Sequence, residues 1–264
     1  MNTTRHTSGK PSQASPVGIS LDAPLDELLE AAKSRYEVAF EPVKIGEHEL
    51  DILQLTNMDS YVEALAAQLT PGDSLELPFW AKIWRTSFLL SYYVQRLPSQ
   101  GRCMLEIGAG VGLCGLFAAR HGFEVTISDI HPDALLFTQI NILKNGLQER
   151  ASVASADFTQ DRLGRRFDIV LGSEVLYKED TYRSLCKFLL DHLKDSPEAE
   201  IVLAKEFTRK ATKFFNLAER EFTIRSQDIG YKSDTQANDK EKHLCTIYRL
   251  SPKKITPPSN RKTT

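Results

Sequence analysis

Short apolar runs alternate with helix-length amphipathic stretches along most of this chain, and from residue 103 onward the alternation is regular. Cys103–Ile107 is an apolar run of strand type, and Leu113–Arg120 returns to helix-forming residues closed by Gly122. Phe123–Ile127 is then a run rich in β-branched residues that ends on Ser128-Asp129. Pro132–Asn145 predicts a second crossover helix, opened by its proline and stopped at Asn145-Gly146. Further strands are predicted at Ala151–Ala156, Phe167–Glu174 and Ala199–Lys205, with helices at Glu179–Leu193 and Lys210–Glu219. Strands mostly followed by helices imply parallel pairing with helices on both faces of a sheet. The chain then carries two strands in a row, Phe222–Gln227 and His243–Leu250, parted by a polar loop around Lys232–Glu241. An antiparallel pair at one sheet edge accommodates them, so the expected architecture is a doubly wound, seven-stranded α/β sheet with an antiparallel last pair.

Ahead of this unit the pattern predicts a helix over Leu21–Tyr36, with Asp22 as N-cap and Pro24 in its first turn. Val38–Ile45 and Glu49–Leu55 follow as a hairpin turning at Gly46-Glu47-His48, and Met58–Leu69 as an amphipathic helix stopped by Pro71-Gly72. A segment with two tryptophans, Leu77–Trp84, leads into an apolar helix over Ser87–Val94. The expected organisation is a polar disordered tail over 1–20, an accessory helix and hairpin over 21–76, the main domain over 77–250, and a basic disordered tail over 251–264.

Composition narrows the class. At 264 residues and 29.7 kDa the chain holds one α/β domain plus extensions. A net charge of -2 creates no field that would draw in nucleic acid or an anionic membrane. The 4 cysteines show no C-x-x-C spacing and lie in apolar runs, as reduced core residues of a cytoplasmic protein would. There is neither an apolar stretch of ~18 residues that would span a membrane nor the apolar block of a secretion signal. One arginine, Arg5, and no amphipathic pattern argue against an organelle-targeting leader.

The chemistry concentrates between Glu106 and Asp129. Gly108, Gly110 and Gly112 make a strand-to-helix turn in which missing Cβ atoms let a ligand lie against the main chain beside helix amides. In the dinucleotide fingerprint G-x-G-x-x-G the third glycine would stand where Leu113 stands, one residue later than Gly112. Glu106, two residues before the first glycine, would repel a pyrophosphate, so a ligand with a cationic end suits the turn better. Asp129 ends the next strand, where a ribose hydroxyl pair would lie.

This E-x-G-x-G-x-G with its distal acid resembles motif I of the class I, seven-strand S-adenosylmethionine-dependent methyltransferases, which are Rossmann-like. The resemblance implies that the glycines pack against the methionine half of the cofactor, that Glu106 faces its amino end and that Asp129 takes both ribose hydroxyls. It implies that Asp157 meets the adenine amino group and Phe158 covers the ring, with Ser173 also on the cofactor side. The segment Trp80-Ala81-Lys82-Ile83-Trp84 resembles the W-A-x-x-W of the small protein-lysine methyltransferases, which assigns Trp84 to the cofactor; Arg85 stands where relatives usually carry proline. Glu174-Val175-Leu176-Tyr177 resembles their D-x-x-Y motif, with Glu in place of Asp and a carboxylate moved by roughly 1.5 Å, one C–C bond. By that resemblance Glu174 orients a target amine and Tyr177 walls the acceptor channel, the acceptor being a lysine of a protein substrate. Because a carboxylate also holds an ammonium in its charged form, Glu174 is read as orienting the amine and not as general base. Read without the resemblance, the same residues allow Asp157 as a loop cap, Glu174 as a helix cap and Tyr177 as core. Two other functions stay open: a small-molecule methyltransferase with the forepart as lid, and a non-catalytic cofactor-binding module. No metal site is expected.

Overall fold

The computed structural model describes residues 18–67, 70, 77–232 and 242–253. Most of both expected tails, the Pro71-Gly72 stop and the polar loop over 233–241 lie outside the described residues. In chain order the elements are α1 (Leu25–Lys33), β1 (Val38–Ile45), β2 (His48–Leu55), α2 (Met58–Ala67), α3 (Arg85–Val94), β3 (Cys103–Ile107), α4 (Leu113–His121), β4 (Glu124–Asp129), α5 (Pro132–Lys144), β5 (Ala151–Ser155), β6 (Ile169–Ser173), α6 (Tyr182–His192), β7 (Glu200–Glu206), α7 (Thr212–Ala218), β8 (Phe222–Lys232) and β9 (Lys242–Pro252). Single 3-10 turns occur at Phe79–Ala81 and Glu179–Thr181.

The main sheet has 7 strands in the order β5-β4-β3-β6-β7-β9-β8. β5, β4, β3, β6 and β7 run parallel, while β9 is antiparallel to both β7 and β8. Residues alternate between two cores along the parallel strands, as a period of two requires. Met104, Ile127, Ile169 and Leu171 face α3, α4 and α5, whereas Leu105, Ile107, Val170 and Leu203 face α6 and α7.

The forepart joins the first core: Leu28 and Ala32 of α1 and Leu50, Ile52 and Leu53 of the hairpin are buried with Phe117, Phe137 and Ile140. Strand β2 would present unpaired backbone toward α5, an unfavourable edge when covered. Two asparagines one helical turn apart on α5 resolve this. Asn141 accepts from Leu53 N at 2.7 Å, and Asn145 both accepts from Asp51 N at 2.9 Å and donates to Asp51 O at 2.8 Å.

Several boundaries differ from expectation. Helix α1 starts at Leu25 and not at residue 21, because a residue before proline is held extended and Pro24 becomes the N-cap, its carbonyl accepting from Leu28 N. The helix expected from Glu179 begins as a 3-10 turn and becomes α-helical only at Tyr182. The last two strands run 11 residues each, longer than expected, and β9 enters between β7 and β8.

Candidate functional site

Register places the parallel strand ends on one edge: Ile107 lies opposite Gly172, Asp129 opposite Ser155, and Ser173 opposite Ala204. Chain direction across the sheet reverses between β3 and β6, which makes the gap between those strands the crevice where open α/β sheets take ligands. Gly108 on one side and Glu174 on the other flank it. They are joined by Val175, whose Cγ1 stands 3.0 Å from where a Cβ on Gly108 would lie.

Gly108, Gly110 and Gly112 all have left-handed φ, at 57°, 57° and 81°. Gly110 has a second reason to lack a side chain, since a Cβ there would sit 2.5 Å from the carbonyl oxygen of Trp80. Glu106, only 2% exposed, accepts from Gly115 N at 2.6 Å through Oε2. A Cβ on Gly115 would lie 2.7 Å from that oxygen, so the residue is glycine to let helix α4 approach the acid. Burial, helped by nearby Asp129, pushes the Glu106 carboxyl up to about 7, against the Gly115 and Cys114 hydrogen bonds that favour its charge. Asp129 accepts from Gly110 N and His131 N, each at 2.8 Å, and burial raises its pKa despite those bonds. The turn and the β4 tip are tied again by Ser128 Oγ, which donates to Glu106 O at 2.8 Å.

The remaining candidates fall into separate groups. Trp84 caps α3 and packs on Phe79, with the Lys82 amine 4.5 Å from its ring. Trp80 meets the glycine turn through its backbone carbonyl beside Gly110, while its ring stacks on His131 at 5.0 Å and meets Phe137 and Tyr36 edge-on. Asp157 lies just past β5 and accepts from Thr159 N, Thr159 Oγ1 and Gln160 Nε2; these bonds, led by the threonine hydroxyl, hold its carboxyl below the usual range. Phe158 packs against the α6–α7 core.

Ser173 is fastened to the first turn of α3, donating to Thr86 Oγ1 at 2.8 Å and accepting from Ser87 Oγ at 3.1 Å. Glu174 follows with φ 56°, the single non-glycine residue with positive φ among the described residues. That conformation ends β6 and folds the side chain back: Glu174 is 7% exposed, and its Oε1 accepts from Glu206 N at 2.7 Å. Burial raises its pKa, while the Glu206 amide and Arg209 oppose the rise. Tyr177 stands out from the surface, 56% exposed.

Sequence reasoning passed over Thr86, Ser87, Gly115, His131 and Arg209, and named Trp80 within its motif without giving it a separate role. Gly115 alone carried a usable signal, because glycine inside a helix is costly without a packing reason. The chemistry of the set is plain. Glu106 and Asp129 are buried carboxylates served by backbone N–H groups, and among the described residues no lysine or arginine forms an ion pair with Glu106. Such a pair fits a ligand with an ammonium at one end and a diol at the other.

The chain is 31% identical over 160 residues to the mouse protein N-lysine methyltransferase METTL21A, covering 58% of this chain and 72% of that protein. It is 30% identical over 187 residues to mouse EEF1A lysine methyltransferase 3, covering 66% of this chain and 78% of that one. The crystal structure of a SAM-dependent methyltransferase from Agrobacterium tumefaciens superposes with a TM-score of 0.56 at 15% identity, over 81% of this chain and 70% of the other, and shares the fold. Residues 73–221 match the family described as lysine methyltransferase, and the chain belongs to that family.

Proposed function

We propose that this protein transfers the methyl group of S-adenosylmethionine to a lysine side chain of a protein substrate. The observation that carries the reading is the pairing, across the β3–β6 crevice, of the buried acids Glu106 and Asp129 with a third buried acid, Glu174. When bound, the cofactor supplies an electrophilic sulfonium methyl. Glu106 would balance its ammonium and Asp129 would accept from its ribose hydroxyls, with Trp84, Asp157, Phe158 and Ser173 proposed on the cofactor side. The acceptor amine has to lose a proton before attack, its ordinary pKa being ~10.4. Glu174 would orient that amine, and exposed Tyr177 would form the rim through which a side chain enters. Relatives named as protein N-lysine methyltransferases support a protein acceptor over a small molecule.

The methyltransferase unit would span 77–250, with 21–76 as its accessory layer. Four buried cysteines, none of them in a disulfide, support a cytoplasmic setting. No helix among the described residues is long and apolar enough to cross a membrane. Incubation with isotopically labelled cofactor and cell lysate, then acid hydrolysis and amino-acid analysis, tests the reading. Label should appear in Nε-methyllysine; label confined to small molecules or to another residue type would overturn it.

A further inference from the structure

We propose that Arg209 is a specificity-determining residue, its guanidinium covering the carboxylate oxygen of Glu174 that the acceptor amine requires, so that the substrate enters by exchanging one positive charge for another. The inference rests on the lysine-methylation reading above and deepens it.

Glu174 is held where it is. Its N–H donates to Ala204 O at 2.9 Å, and its Oε1 accepts from Glu206 N, so both ends of the residue are fastened to β7. Only Oε2 is left to act. That oxygen is buried, lacks a hydrogen-bond partner among the described residues, and lies 3.3 Å from Arg209 Nε, which is buried and lacks one too. The two groups are close enough for an ion pair but are misaligned for a hydrogen bond. Two buried, oppositely charged groups that attract without bonding form a contact built to be exchanged.

The backbone of Arg209 is pinned while its side chain is not. Its N–H donates to Glu206 O at 3.2 Å, and its carbonyl accepts from Lys205 Nζ at 2.6 Å. The side chain is 36% exposed and can swing outward without moving the turn. Phe207 on the same turn and Tyr177 after Glu174 are also exposed, which sets the covered oxygen beneath a surface that a protein could approach. Other charged and polar neighbours cannot take this part. Lys205, from β7, spends its Nζ on Glu206 O and Arg209 O and is drawn to Glu174 and to Asp228 of β8; Glu206 adds a negative charge, and the Thr86 hydroxyl of α3, which accepts from Ser173 Oγ, stands near the carboxylate and favours its charged form.

An uncharged acceptor has nothing to offer Glu174 in place of the guanidinium, whereas a lysine ammonium does. Once displaced but still nearby, the Arg209 charge disfavours the ammonium form and promotes the neutral amine that reacts.

The test is steady-state methylation of lysate protein across pH, scored as methyllysine, with wild type, Arg209→Met, Arg209→Gln and Arg209→Lys. Removing the charge should lower KM at neutral pH about tenfold, lower kcat there, and move the rising limb of kcat to higher pH by roughly one unit, since one pKa unit is a tenfold change. Arg209→Lys should stay near wild type. Arg209→Gln keeps a polar side chain of similar reach and gives the same readout should Arg209→Met not fold. A KM and pH profile unchanged in the charge-removing variants, or a KM that rises with the profile unmoved, overturns the assignment while leaving lysine methylation intact. Wild type that labels no lysine overturns the functional reading itself.

Discussion

Replacing Glu106 with Gln offers a direct measure of how the site is charged before any ligand arrives. The carboxyl is raised from 4.5 to about 7 in the folded protein, first by burial and then by Asp129. A shift of that size corresponds to about 3 kcal/mol. The sign follows from proton counting: between 4.5 and about 7 the folded state holds a proton that the unfolded chain has lost. The stability linked to this group is therefore fully present below pH 4.5 and is lost as pH rises through about 7. Glutamine can accept from Gly115 N as the acid does but does not titrate, so its cost or benefit is constant with pH. His192 acts with the opposite sign, because burial lowers its pKa and its contribution is lost as pH falls below 6.5. That term is common to both proteins and cancels in the difference.

Urea unfolding of wild type and Glu106→Gln should then show a stability gap that moves by about 3 kcal/mol in favour of Gln between mildly acidic and mildly alkaline pH. Addition of S-adenosylmethionine should reverse the trend for wild type alone, because its ammonium favours the charged acid. Calorimetric titration near pH 6 should accordingly release a proton, visible as a heat that depends on buffer ionisation. A gap independent of pH would refute the reasoning, as would cofactor affinity in Glu106→Gln equal to that of wild type.

Three further outcomes follow from the geometry. Gly110→Ala puts a methyl against the Trp80 carbonyl in a left-handed conformation, and should cost about 2 kcal/mol or more in chemical denaturation and weaken cofactor binding by calorimetry. Arg35→Ala removes a two-point ion pair to the nearly buried Asp133 that clasps the forepart to α5; with the arginine partly exposed and screened, the expected loss is about 1 kcal/mol by urea unfolding, smaller at high salt for the wild-type contact. Glu174→Ala should lower methyl transfer by about 100-fold through lost orientation while calorimetric cofactor affinity stays within a few-fold. Unchanged turnover would remove Glu174 from the acceptor site.

What could be read in the residue string was whatever depends on neighbours along the chain. Period-two apolar runs become strands because alternate side chains face opposite sides, and three glycines between an apolar run and a helix become a tight left-handed turn because glycine takes those torsions without the steric cost of a Cβ. The start of α1 at Leu25 was equally local, since Pro24 dictates it, and the longer helix expected there overlooked that restriction.

Tertiary structure decided what depends on residues far apart in sequence. Nothing near Trp80 in the chain says what its indole will pack on; the answer comes from His131, Phe137 and Tyr36, which meet it only after α1 and α5 pack together. The hairpin edge is satisfied by Asn141 and Asn145, some ninety positions downstream of β2. Arg209 reaches Glu174 because β6 and β7 pair in register, and β9 lies inside β8 because its pairing with β7 buries Ile247 and Leu250 in the two cores. Backbone torsions and burial periodicity are short-range properties that a sequence carries openly, whereas charge pairing and aromatic packing are set by which surfaces the folded chain brings within a few ångströms of each other.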